Sequence, residues 1–135
     1  MWYRERHARR LARDARLLGL GELDVERALA LLDELAAPSR GGAPLRIRVE
    51  AHGEAAGVRL RGAATQLDGD PALWRATTGC APHPGASPTS AVKCTARQYW
   101  DDALAQARSV GAHEALLFDA QGFLVEGARS SLVVS

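Results

Sequence analysis

The chain has 135 residues, 47% of them apolar and 24% charged, with a formal net charge of +1; this is enough for one domain or two small lobes, burying roughly two thirds of the unfolded surface. A near-neutral chain of mixed charge argues against a dedicated nucleic-acid binder, which carries a basic excess on one face, and no apolar run approaches the roughly 20 residues that span a bilayer. Cys80 and Cys94 are the two cysteines and stand in no metal-ligand spacing, which predicts reduced thiols in a cytoplasmic protein and neither a disulfide scaffold nor a metal site.

The Arg-rich start reads as an ordinary helix and not as a transit peptide, because Glu5 and Asp14 interrupt it and serine is absent. That helix is predicted over residues 3–18, with Tyr3, His7, Leu11, Ala15 and Leu18 on one side and Gly19 and Gly21 beyond its end. His7 is expected to pack. Asp24 is placed to cap a second helix whose stripe is Val25, Ala28, Leu29, Leu32 and Leu35. Pro38–Pro44 is a loop by composition. Leu45–Glu50 and Val58–Arg61 alternate apolar and charged residues as half-exposed antiparallel strands do, and Leu73–Thr77 is a candidate third strand.

Residues 80–88, rich in Gly and Pro, read as a linker between a small α/β lobe at 1–79 and a second lobe at 89–135. In that second lobe Ala96–Val110 reads as a helix with Ala96, Tyr99, Trp100, Ala103, Leu104, Ala107 and Val110 facing one way, ended by Gly111. Glu114–Asp119 is a strand, Ala120–Gly122 a turn, Phe123–Glu126 its hairpin partner and Gly127–Ser131 a polar loop. Leu132–Val134 starts a further strand with no partner in the sequence. The pattern as a whole is α/β (α+β).

Lys93 is the only lysine, and the other sixteen basic positions are arginine. Arginine replaces lysine wherever charge alone is needed, but a guanidinium cannot lose its proton and attack a carbonyl. A Schiff-base lysine is one position where that replacement fails; chance retention on a surface is the alternative. Glu126 ends a hairpin strand and opens a loop of small residues. A carboxylate beside a pyridine nitrogen would keep it protonated, and small residues let backbone amides approach an anion closely.

The run from Lys93 to Val134, with Gly111-Ala-His-Glu-Ala-Leu116 and Glu126-Gly-Ala-Arg-Ser-Ser-Leu-Val133 at matching distances, resembles the fold-type IV (class IV) pyridoxal-phosphate aminotransferases. That family includes branched-chain and D-amino-acid aminotransferases and aminodeoxychorismate lyases. His7-Ala-Arg-Arg-Leu11 is similar to the family's H-x-x-R-L segment. The resemblance implies a D-amino-acid-aminotransferase-like fold, here a small α/β lobe plus the start of the larger one. It implies pyridoxal 5'-phosphate held on Lys93 as a Schiff base, Arg10 on its phosphate and Glu126 at its pyridine nitrogen. Arg97, Ser130 and Ser131 also fall at cofactor-binding positions.

The implied reaction moves an amino group between an amino acid and a 2-keto acid, in a homodimer. C–N elimination releasing pyruvate, and a catalytically inactive truncated paralogue, are the alternatives. Three positions depart from the pattern: Ser131 replaces the usual Asn, Val133 an aromatic, and His113 an acidic residue, the last expected to be structural. Arg97, four residues after Lys93, slightly favours the lyase branch. The resemblance also implies a longer protein, with strands before residue 1 and most of the large lobe after residue 135. A non-enzymatic module using the basic first helix is disfavoured by the acidic residues spread along the chain and its few aromatics.

Overall fold

Alanine decides how the first helix packs. In the computed structural model, which describes residues 3–37, 42–67, 69–86 and 92–131, helix α1 (Arg4–Leu17) buries Ala8, Ala12, Asp14 and Ala15. Small side chains let its backbone approach its neighbours. The buried face is therefore turned from the expected stripe: Tyr3 and His7 are exposed, so His7 is not the packing residue its spacing predicts. Asp24 caps helix α2 (Val25–Ala36), its side chain accepting a hydrogen bond from the Glu26 amide.

The chain divides into two compact units, Met1–Gly69 with Ala91–Lys93, and Asp70–Ser90 with Cys94–Ser135. In the first, β1 (Leu45–Glu54) and β2 (Gly57–Gln66) form an antiparallel hairpin in which Leu45 faces Gln66 and Glu54 faces Gly57. Ile47, Val49, Ala51, Val58 and Leu60 pack against a core of Ala8, Ala12, Ala15, Leu23, Ala28 and Leu32. Both strands outrun the expected bounds of 45–50 and 58–61, because ladder hydrogen bonds continue where the apolar alternation stops.

The second unit holds a three-stranded sheet in the order β3 (Ala76–Thr77), β4 (Glu114–Phe118), β5 (Leu124–Gly127). β3 runs parallel to β4, and β5 antiparallel to it with an irregularity between Leu117 and Phe118. The expected strand at 73–77 is reduced to two residues, and Leu73 and Trp74 are exposed. Because β3 pairs with β4, residues 70–79 group by contact with the second unit, ahead of the boundary read at 80–88. Residues 87–88 of that linker, part of the 38–44 loop and the strand expected at Leu132–Val134 lie outside the described residues.

Helix α3 (Gln98–Ser109) covers β4 with Ala103 and Ala107, which meet Ala112, Ala115, Leu117 and Ala128. Val110, expected on that face, is exposed. α1 and α3 end alike: Gly19 at φ 69° lets the Leu20 amide reach the Ala15 carbonyl, and Gly111 at φ 75° lets the Ala112 amide reach Ala107. That left-handed conformation closes a helix end and favours glycine. Among the described residues no helix is long and apolar enough to cross a membrane.

Among the described residues Leu117 is the one large side chain with essentially no exposure. Leu117→Ala is expected to cost about 2–4 kcal/mol in urea unfolding, whereas Leu124→Ala, at a position 45% exposed, should cost under about 1 kcal/mol. Equal costs for the two would mean that the α3–β4 core is not assembled this way.

Candidate active site

In the first unit, two of the residues singled out by sequence meet on a third that was not. Arg10 lies on α1, and Asp14 follows it one turn later with its side chain 4% exposed. Asp14 Oδ1 accepts from Arg13 Nε at 2.9 Å and Nη2 at 2.6 Å. Its Oδ2 accepts the backbone N–H of Lys93 at 3.0 Å and lies 3.7 Å from Arg10 Nε. A buried carboxylate demands such partners, since an unpaired one costs several kcal/mol. The Lys93 side chain is exposed, so its amine is open to reagents.

In the second unit Glu126 closes β5. The Trp100 indole N–H donates to Glu126 Oε1 at 2.7 Å, and His83 Nε2 lies 3.2 Å from the same oxygen. His83 Nδ1 accepts from the Gly85 amide at 3.0 Å. This network assigns the neutral ring's proton to Nε2, where it points at Glu126. Both donors use Oε1, and among the described residues none is shown on Oε2.

His83, Tyr99 and Trp100 pack edge to face with centroids 5.3–5.8 Å apart, an arrangement aromatic pairs prefer. The Tyr99 hydroxyl donates to the Ala81 carbonyl at 2.7 Å. Burial first, then the proximity of Cys80 and the Glu126 carboxylate, raise its phenol above the ordinary range and keep it a donor. Burial likewise pushes the Cys80 thiol up, away from thiolate chemistry.

The loop after Glu126 is braced from inside. Ser130 Oγ donates to the buried Glu114 carboxylate at 2.8 Å, and Glu114 also accepts from the Ala115 amide. A Cβ at Gly127 would collide with the Ser130 side chain, which accounts for glycine there. Arg97 Nη2 donates to the Ala128 carbonyl at 2.6 Å and ties the start of α3 to this loop. Ser131 is exposed. His113 is structural, as expected: its Nδ1 accepts the Arg75 amide and its ring packs against Trp74. Among the described residues no group of His, Cys, Asp and Glu is placed to hold a metal ion.

Asp14, His83 and Trp100 escaped the reading of the sequence. Asp14 left one signal, a carboxylate among the alanines of α1; Trp100 was read as packing, and His83 lay in a segment read as linker. Their partners are 79, 43 and 26 residues away, and no local pattern encodes that.

Among curated proteins none matches the chain closely enough to carry an argument. Its fold matches an aminotransferase from Brucella abortus bound to the co-factor PLP, with a TM-score of 0.71 at 22% identity over 92% of this chain and 49% of that one. A branched-chain aminotransferase from Thermoproteus uzoniensis, with norvaline, gives 0.71 at 23% identity over 93% and 47%. A protein named as a candidate 4-amino-4-deoxychorismate lyase is 31% identical with a TM-score of 0.66, over 95% of this chain and 52% of that one. The chain thus spans about half the length of these structures. The family model for amino-transferase class IV matches residues 1–135, and the chain belongs to that family.

Proposed function

We propose that the chain carries a pyridoxal 5'-phosphate site serving an aminotransferase reaction between an amino acid and a 2-keto acid, with Lys93 as the attachment point. The observation that carries this reading is that Lys93 and Arg10 share one buried carboxylate, Asp14. The donor set also fits the cofactor: an amine for its aldehyde, a guanidinium for its phosphate and a carboxylate for its pyridine nitrogen. When bound, the cofactor supplies an electron sink for negative charge developing at the substrate Cα.

The chain's own residues do the rest. Arg10 binds the phosphate through charge-assisted hydrogen bonds. Lys93 would hold the cofactor at its aldehyde carbon with loss of water, and its amine, once a substrate amine had taken its place, would accept the Cα proton as general base and deliver it to the former aldehyde carbon as general acid. Glu126, its Oε1 engaged by Trp100 and His83, offers Oε2 to the pyridine N–H. Ser130 spends its own proton on Glu114, so its part is to shape the loop while Ser131 stays open to the anion. Arg97 holds that loop through Ala128. A homodimer in the cytoplasm completes the proposal.

A second reading, elimination releasing pyruvate, is favoured by the 31% likeness to the candidate lyase and by arginine at position 97. Pyruvate release from aminodeoxychorismate, set against keto-acid production from amino donors, separates the two. A chain that captures the cofactor and does neither is the inactive paralogue.

Treatment with pyridoxal phosphate, borohydride reduction and peptide mapping should place the label on Lys93, and Lys93→Arg should leave only the N-terminal amine to react. Label confined to that amine in the unsubstituted chain would overturn the proposal. Glu126→Ala should lower turnover on the order of 10²-fold while cofactor capture changes little. Trp100→Phe, which removes one donor from Oε1, should lower turnover about tenfold. An unchanged rate in Glu126→Ala removes Glu126 from the mechanism.

A further inference from the structure

Asp14 carries more charge than its structural bonds require. Arg13 binds Oδ1 through two nitrogens, and a neutral amide oxygen could still accept the Lys93 N–H, though more weakly than a carboxylate. What an amide could not do is pair with a second guanidinium, and Arg10 Nε lies 3.7 Å from Oδ2. Oδ2 is therefore shared between a cation on α1 and the backbone of the only lysine.

From this we infer that Asp14 is a positioning residue that couples anion binding at Arg10 to the Lys93 backbone. The inference rests on the reading of Arg10 and Lys93 given above. A guanidinium that turns to an anion gives Oδ2 less of its charge. The oxygen then becomes a stronger acceptor for the Lys93 N–H, and Lys93 is held more firmly when a phosphate is present. Linkage makes the effect reciprocal: a Lys93 backbone held on Oδ2 favours the anion at Arg10. A carboxylate that served stability alone would transmit nothing.

One lysine makes the test direct, because chain labelled with [15N]lysine gives a single backbone amide resonance. Inorganic phosphate is titrated while its binding is measured separately by calorimetry. The Lys93 amide should shift along the same saturation curve as the heat. Arg10→Gln should abolish both, whereas Asp14→Asn, which keeps an acceptor for the amide, should retain phosphate binding to within about tenfold and reduce the amide shift at least about fivefold.

Phosphate that binds through Arg10 while the amide stays still, or shifts equally in Asp14→Asn, overturns the coupling and leaves the Arg10 reading standing. Heat that is absent, or indifferent to Arg10→Gln, overturns the Arg10 reading and the coupling with it. If circular dichroism shows Asp14→Asn unfolded, exchange of the Lys93 amide in the unsubstituted chain decides. Protection of about tenfold or more over an unstructured amide is expected, and an unprotected amide ends the inference.

Discussion

The buried carboxylate of Asp14 is the constraint on which the first unit's candidate chemistry depends. Removing a carboxylate from water costs several kcal/mol unless cations and N–H groups replace the lost solvent. On α1 the replacement comes from Arg13, one residue on the N-terminal side, from Arg10 one turn earlier, and from the Lys93 amide 79 residues along the chain. The last of these is the strong constraint. It joins residue 93 to α1, and Lys93 groups with the first unit.

The second unit fixes a carboxylate that stays part-exposed, the Glu126 side chain at 39%. Glu126 sits at the end of β5, where a strand-end glutamate would otherwise be solvated. Trp100 from α3 and His83 from the segment before it fix one oxygen. Gly85 fixes the tautomer of His83 by occupying Nδ1, so the ring cannot turn its acceptor nitrogen toward the carboxylate without losing that bond. Orientation of Glu126 thus passes through Trp100, on the α3 helix that packs on β4 through its alanines, and through His83 in the segment before that helix.

Much of the fold was legible because it rests on local patterns. The two N-terminal helices, the Asp24 cap, the antiparallel hairpin and the glycine stops after α1 and α3 all follow from periodicity and capping within a few residues. The misses share one cause. The buried face of α1 is set by which alanines meet β1 and α2, and spacing alone placed Tyr3 and His7 there. Leu73 and Trp74 have strand-like side chains, yet only Ala76 and Thr77 find a partner, because a parallel ladder needs β4 beside it. Lys93 and Glu126 are singled out as candidates by the sequence, whereas the bonds that orient them are not, because those bonds join segments far apart in the chain.

Arginine's role elsewhere bears on why lysine survives at position 93. Arg4 pairs with Asp33, Arg9 with Glu5, Arg16 with Glu22, Arg48 with Glu50 and Arg59 with Glu54. Where a planar, permanently charged fork is useful, this chain uses arginine. Each of these pairs is solvent-exposed on at least one side and contributes little stability. Lys93 differs in kind: among the described residues its side chain enters no ion pair, and the fold holds it by its backbone N–H. Structure therefore places the residue without using its charge. Held at its root by the backbone and exposed at its tip, it is the one basic side chain of the sequence that, as an amine, has a chemistry a guanidinium lacks, since an amine can shed a proton and bond to carbon.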